Sequence, residues 1–252
     1  MRQYKDDIQK KAAHLEKILA GTLGLDTSAL EKEKTSLSAF EKALDQNRII
    51  AHRTHSREAD IFRFLRTQIL QAMQKSGLKT LAITSPNYND GKTTIAANLA
   101  VSISQDLKQT VLLADLDLRK PSLHNYLKLE QKFGLTDYLK GKASVQECLL
   151  RMPFERLSIF PAGQAVDKSS ETLGSPEMKK LATELKTRYA DRVIIYDMPP
   201  LLAQDDPLVF LPHVDAVLLV IKEGVTTTDE IKRCLDILSS AKVIGTVLNS
   251  VR

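Results

Sequence analysis

The sequence predicts an α/β fold: a mostly parallel sheet with helices on both faces, plus a short N-terminal helical segment. Three observations carry this. Short apolar runs recur from Lys79 onward, helical stretches lie between most of them, and residues 1–46 follow a different, amphipathic rhythm. Runs that are apolar at every position belong to strands covered on both faces, and their alternation with helices builds parallel βαβ units. A chain of 252 residues buries one sizeable core with room for an appendage. We therefore divide it into an N-terminal helical segment, 1–46, and a main domain, 47–252.

In the N-terminal segment Ile8, Ala12, Leu15 and Leu19 fall on one helical face before Gly21 and Gly24 interrupt it. A second helix follows the capping signal Asp26-Thr27-Ser28, with Leu30, Leu37, Phe40 and Leu44 on one side. Two short amphipathic helices ordinarily pack on their own domain, and docking of a partner is the functional alternative. In the main domain the expected strands are LAIT (81–84), TVLLAD (110–115), LSIF (157–160), RVIIYD (192–197), AVLLVI (216–221) and VIGTVL (243–248). The expected helices between them include 93–107, 176–188 and 228–240. Ligands of such sheets bind at the carboxyl ends of the strands.

Composition excludes several classes. An apolar fraction of 43% is ordinary for a folded domain and argues against disorder. No apolar run approaches the roughly 18 residues of a transmembrane helix, and the charged start MRQYKDDIQKK has no apolar stretch behind it. A cytoplasmic location is expected. The net charge of +5 draws anions, yet the basic residues are interleaved with acids, as in EKEK, and form no stripe with aromatics. No nucleic acid is expected as a partner, while an anionic membrane surface or an acidic partner segment stays open. Cys148 and Cys234 supply neither a disulfide framework nor metal-ligand spacing.

The first expected strand runs into TSPNYNDGKTT (84–94). A phosphate loop needs inward-facing backbone N–H groups, then a helix whose N-terminal dipole faces the anion. Gly91, Lys92 and Thr93 match the end of G-x-x-x-x-G-K-[ST], whereas Pro86 stands where the first glycine belongs. Asn87 and Asn89 tolerate left-handed backbone angles well, and Pro86 lacks an N–H, so one donor is missing at the loop's start. The second strand ends in D-L-D-L-R, with Asp115, Asp117 and Arg119. Residues two apart in an extended chain share a face, so both carboxylates can reach one place. The strand VIIY ends at Asp197, where Met198-Pro199-Pro200 breaks the ladder. Each feature alone is compatible with a turn or with solvated acids. Together, in this order, a loop lysine, a threonine suited to Mg²⁺ and acids at separate strand ends are the parts of a P-loop NTPase-type phosphoryl-transfer site.

The order of P-loop, D-L-D-L-R-K-P-S and V-I-I-Y-D-M-P-P resembles the Walker A, Walker A′ and Walker B motifs of the bacterial tyrosine autokinases (BY-kinases) of exopolysaccharide synthesis and export. The matching residues are 86–94, 111–119 and 193–197. The resemblance is nearest to the autokinases of exosortase-associated (PEP-CTERM) loci and covers about residues 47–252. It extends to S-S-E-T-L-G-S-P-E-M (169–178), to Asp205 and Asp206, and to V-L-N near the end. Phosphate loops of that family often lack the first glycine, so Pro86 is in keeping with a working loop.

The resemblance implies an ATP-dependent protein-tyrosine kinase with ATP and Mg²⁺ as cofactors. Carried onto this chain, Asn89, Asp90, Gly91, Lys92, Thr93 and Thr94 bind the nucleotide phosphates, and Thr93, Asp115 and Asp197 hold the metal. Lys92, Asp115, Asp117 and Asp197 form the catalytic set, with Lys92 on the β- and γ-phosphates and Asp115 accepting the tyrosine proton. Asp115→Asn, nearly isosteric, is expected to remove turnover while the fold persists. Asn249 either contacts the adenine edge or serves as a cap.

The family's oligomerisation signature, E-x-x-R-x-x-R, resembles D-I-F-R-F-L-R (60–66). It implies a homo-oligomer through Asp60, Arg63 and Arg66, which share a helical face; a solvated helix with an internal ion pair is the plain alternative. The implied partner is a transmembrane chain-length-determinant or activator protein, which would hold the chain at the periphery of the inner membrane. None of the six tyrosines lies beyond Tyr196, so the main phosphoacceptor is expected on another protein. The alternatives are a non-kinase P-loop ATPase or a nucleotide-binding regulator of the export complex. Deviant-Walker positioning ATPases fit less well, since they carry a second lysine where this chain has Asn87.

Overall fold

A computed structural model describes residues 38–250. The compact unit that bears the site is Leu44–Arg252. The first expected helix and the start of the second lie outside the described residues. The helices are α1 (38–46), α2 (Arg57–Lys75), α3 (Lys92–Ser104), α4 (Leu123–Tyr126), α5 (Leu135–Leu139), α6 (Val145–Cys148), α7 (Ser169–Leu173), α8 (Pro176–Arg188), α9 (Asp206–Phe210) and α10 (Thr228–Ile237). The strands are β1 (Thr80–Thr84), β2 (Thr110–Asp115), β3 (Leu150–Arg151), β4 (Leu157–Phe160), β5 (Arg192–Asp197), β6 (Ala216–Lys222) and β7 (Val243–Asn249).

The strands form one sheet in the order β3-β4-β2-β5-β1-β6-β7. Every pairing is parallel except β3 with β4. The interior strands are apolar at successive positions because both of their faces are covered. On one face Ala82, Leu112, Ile194, Tyr196, Val217 and Leu219 pack with Met178, Leu181 and Leu185 of α8 and Cys234 of α10. Leu81, Ile83, Leu113 and Ile195 point to the other face, where α3 runs along β1, β2 and β5. α3 is enclosed almost all round, Thr94 alone being only half-buried, because α2 lies against its far side.

Local signals start these helices. Ser56 accepts from the Ala59 N–H at the head of α2, and Ser175 accepts from the Met178 N–H at the head of α8, with Pro176 in the first turn. Burial of Met178, Leu181, Ala182 and Leu185 follows the spacing of one helical face. One polar residue interrupts the apolar run of α3. Asn98 is fully buried, accepts from the Ile50 and Ala51 N–H groups at 2.8 and 3.0 Å, and donates to the Arg48 and Thr94 carbonyls at 2.9 Å. It ties the segment ahead of α2 to the central helix with all its hydrogen-bonding capacity used.

Two expected helices end early. The stretch 93–107 stops at Ser104, and Leu107, which had extended the apolar pattern, is 82% exposed on the following turn. The stretch 228–240 stops at Ile237. The two-residue β3 and the short helices α4 to α6 were not foreseen, since four or five residues are too few to show a period.

Candidate functional site

The site is at the carboxyl ends of β1, β5 and β2, three adjacent strands. The loop after β1 is shaped largely by its own polar groups. Ser85 Oγ donates to the Asn87 carbonyl at 2.7 Å, and buried Asp90 accepts the Asn87 N–H at 2.8 Å. Asn89 takes a left-handed φ of 63° and Gly91 a φ of 96°, so the loop coils just ahead of α3. Pro86 gives up a donor but uses its acceptor: its carbonyl takes the Leu202 N–H at 3.1 Å, beside Ser85, whose carbonyl takes that of Leu201 at 2.8 Å. The proline end of the loop is thereby fastened to the segment after β5.

The opposite side of the loop is held by the C-terminal third of the domain. Lys222 at the end of β6 donates to the Asn89 carbonyl at 3.2 Å, and Asn87 donates to Glu230 of α10 at 2.7 Å. Asn249 at the end of β7 donates to the Asp90 carbonyl at 2.8 Å. A Cβ at position 91 would lie 2.1 Å from Asn249 Nδ2. Gly91 is therefore required twice, by its φ and by the amide laid over it.

Behind the loop, Lys92 opens α3 with its side chain 10% exposed and its Nζ 3.5 Å from Asp117 Oδ2. Burial alone would depress its pKa, but the charges of Asp197, Asp117 and Asp115 outweigh this and hold the ammonium above its usual range. Asp115 and Asp197 are register partners on β2 and β5, and both are buried. Asp115 accepts three backbone N–H groups, from Asp117, Ser122 and Leu123, each at 3.1 Å. Burial, with the neighbouring Asp197 charge, pushes its pKa up to about 7 despite them. Neither oxygen of Asp197 has a hydrogen-bond partner of normal geometry. Burial raises it to about 6, opposed by the Lys92 charge and the nearby Thr93 hydroxyl. Asp117 also accepts the Lys120 N–H at 3.1 Å, which closes the turn after β2.

A second cluster borders this one. Arg119 Nε donates to Ser169 Oγ at 2.6 Å, and Ser169 donates to Asp206 Oδ1 at 2.9 Å. Arg119 also pairs with Asp205 at 3.2 Å and Asp206 at 3.5 Å. Asp206 is fully buried, and burial raises its pKa. The sequence segments 115–119, 169–178 and 205–206, distant along the chain, thus meet in one hydrogen-bonded group.

The structure brings Asn89, Asp90, Gly91, Lys92, Thr93 and Thr94 together at the loop–helix junction, with Asp115, Asp117 and Asp197 beside Lys92. Asn249 lies on the loop backbone, in the manner of a cap. Asp60, Arg63 and Arg66 lie on α2 instead. Arg63 pairs with Asp60 and donates to the Arg53 and Thr54 carbonyls, and Arg66 donates to the Ser102 carbonyl of α3 at 2.8 Å. Tyr88, Lys120 and Ser169 lie in the motif stretches 84–94, D-L-D-L-R-K-P-S and 169–178 but were given no role of their own, and Gln204, Lys222 and Glu230 were not foreseen as parts of the site. Of these last three only Glu230 had a local signal, since Thr227-x-x-Glu230 is a capping box at the head of α10. Among the described residues no group of three His, Cys, Asp or Glu side chains is arranged to hold a metal.

Residues 81–252 match the CobQ/CobB/MinD/ParA nucleotide binding domain family. The chain is 33% identical over 208 residues to the tyrosine-protein kinase YwqD of Bacillus subtilis, covering 82% of this chain and 86% of YwqD. It is 34% identical over 194 residues to the tyrosine-protein kinase Wzc of Salmonella typhi, but there 76% of this chain covers only 27% of the relative. Among solved structures, the kinase domain of the Escherichia coli tyrosine kinase ETK superposes with a TM-score of 0.69 at 30% identity, over 75% of this chain and 74% of that one. A nucleotide-binding domain match over most of the chain, a kinase relative matched over most of its length and a kinase-domain structure of similar fold agree: the chain belongs to the bacterial tyrosine-protein kinases.

Proposed function

We propose that the protein transfers the γ-phosphoryl group of ATP to a tyrosine hydroxyl of a partner protein, in the service of exopolysaccharide synthesis or export. One observation carries the reading beyond family membership. A single buried ammonium, Lys92, faces three buried carboxylates directly behind a loop of backbone N–H groups. Three acids against one lysine leave an excess of two negative charges when all are ionised, which a divalent cation would balance. The residues fit Mg²⁺. Both oxygens of Asp197 are buried and free of hydrogen bonds, and the Thr93 hydroxyl is next to them. Two carboxylates and a hydroxyl are an incomplete shell, as Mg²⁺ prefers when phosphates and waters fill the rest.

In this reading the N–H groups from Asn89 to Thr94 would bind the phosphates, Lys92 would contact the β- and γ-oxygens, and Thr93, Asp115 and Asp197 would hold the ion, which would supply charge neutralisation for the transferred group. The phenolic oxygen forms a bond to the γ-phosphorus. The bond to the bridging oxygen breaks with its electron pair leaving on ADP, and the phenolic proton passes to Asp115. A carboxylate has about four lone-pair positions; Asp115 commits three to backbone N–H groups, leaving one for that proton, so its hold on the ion would run through water. Placement and charge neutralisation carry most of the rate enhancement.

The resemblance supports a transmembrane chain-length-determinant or activator protein as partner, with this chain at the inner face of the membrane. None of the described helices is long and apolar enough to cross a membrane. The test is incubation with radiolabelled ATP and Mg²⁺, with and without a candidate activator tail. Lys92→Met is expected to lower phosphotransfer by about a hundredfold or more. Wild-type phosphotransfer in that variant overturns the site assignment, and nucleotide binding without transfer to any protein overturns the kinase reading.

A further inference from the structure

Tyr88 sits in the phosphate loop with its phenol held from two sides. Lys120 Nζ is 4.2 Å from the ring centroid, and Gln204 Nε2 donates to the hydroxyl. The same nitrogen is 3.5 Å from Asp117 Oδ1, and Asp117 Oδ2 is 3.5 Å from Lys92 Nζ. The phenolic oxygen is thus one amide away from the carboxylate–lysine pair. Gln204 is 8% exposed, and its Oε1 is buried without a hydrogen-bond partner. A buried amide oxygen left unpaired is costly and calls for an explanation. A cation over a ring and an amide on its hydroxyl recognise a phenol.

We propose that Lys120, Gln204 and Asp117 form the seat of the acceptor tyrosine, and that Tyr88 fills this seat when no acceptor is bound. The proposal rests on the tyrosine-kinase reading and names the residues that would hold its substrate. An N–H of the acceptor peptide donating to Gln204 Oε1 would supply the donor that this oxygen lacks, while the acceptor hydroxyl, accepting from Gln204 Nε2 as Tyr88 does, keeps its proton for Asp115. The acceptor must displace Tyr88, so the loop that binds phosphate would also report whether a tyrosine has arrived.

Binding and kinetics test it separately. The binding probe is N-acetyl-tyrosinamide, observed by saturation-transfer NMR on the full chain. Tyr88→Ala is expected to bind it about fivefold or more tightly than wild type, and Tyr88→Ala with Gln204→Leu is expected to lose that gain. Tyr88→Phe keeps the ring in place and gives up only the Gln204 bond, so its affinity falls between those of wild type and Tyr88→Ala. In the kinetic arm a random glutamate–tyrosine copolymer is the acceptor. Gln204→Leu and Lys120→Ala raise its KM by about fivefold or more, while the KM for ATP moves by less than about twofold. Equal probe affinity in wild type and Tyr88→Ala overturns the self-occupied seat, as does tight binding that survives loss of Gln204. A seat that binds the probe in a protein that phosphorylates nothing upholds the pocket while the kinase reading falls.

Discussion

The ends of β2 and β5 look alike in sequence and behave differently in the fold. Each is an apolar strand closed by an aspartate, and Asp115 and Asp197 face each other in register. Asp115 is held by three backbone N–H groups, whereas Asp197 is held by none. The cause lies in the residues that follow. After Asp115 the chain turns back, and the N–H groups of Asp117, Ser122 and Leu123 converge on the carboxylate. After Asp197 the next N–H, that of Met198, is taken by the Ile83 carbonyl, and Pro199 and Pro200 have none to give. One acid is built into the scaffold, and the other has no backbone N–H to hold it. Two acids of one motif class therefore carry different energetic duties.

The largest contrast is expected from asparagine at each position. Asparagine presents one acceptor oxygen, while the N–H donors of Asp115 approach both of its oxygens, so Asp115→Asn sets an NH₂ group against a backbone N–H. The expectation that this change leaves the fold intact is therefore revised: a loss of about 2–3 kcal/mol is expected in urea unfolding. Asp197→Asn removes a charge that no backbone N–H supports, so the nucleotide-free domain keeps or gains stability while Mg²⁺-dependent ADP affinity falls by about tenfold or more. Equal stability of the two variants would erase the distinction.

The pH dependence sharpens it further. Both carboxylates have folded pKa values raised above the ordinary value of 3.8, to about 7 for Asp115 and about 6 for Asp197. The folded state thus binds protons more tightly than the unfolded one. The resulting stabilisation is present at low pH and is lost as pH rises through the folded values. The nucleotide-free domain should melt at lower temperature at pH 8 than at pH 5.5, against the common trend for acids paired in salt bridges. Saturating Mg²⁺ and ADP should flatten that slope, because a bound cation favours the ionised acids. A melting temperature that rises over the same range contradicts the burial argument.

The smallest effect is expected on α2, where the same question of prior commitment arises. Arg66 already donates to α3 and Arg63 to its own helix and the segment before it. We propose that these residues also face a second copy of the chain. Arg63→Ala with Arg66→Ala should reduce mass in light scattering toward the monomer and cost about 1 kcal/mol of stability through the lost Ser102 bond. A stability loss with unchanged mass assigns both arginines to the fold alone.

Much of this was legible in the sequence, for reasons that differ by element. The apolar runs placed β1, β2 and β4 to β7 nearly to the residue, and for the interior strands this is because strands covered on both faces have few polar positions to blur their limits. Gly91, Lys92, Asp115 and Asp197 were singled out because strand ends concentrate chemistry. The partners that hold the loop were not. Lys222, Gln204 and Glu230 come from distant elements, and strand order, which places them, follows from packing between helices and sheet that no local window contains. The contrast between Asp115 and Asp197 was half visible: the prolines after Asp197 were read as strand breakers, yet their missing N–H groups also leave that acid unpaired.

Asn249 gives the domain an unusual relation between time and space. The amide that covers Gly91 lies 159 residues beyond its hydrogen-bond partner Asp90. A ribosome therefore releases the entire set of Walker residues, Lys92, Asp115 and Asp197, well before the side chain that roofs the loop. Growth halted short of β7 leaves a chain with every residue of the phosphate motif and an uncovered glycine. The long contact also adds loop-closure entropy that only the docking of β7 on β6 repays. Nucleotide retention by nascent chains of increasing length should thus rise late and abruptly, making occupancy of the loop a readout of a completed sheet.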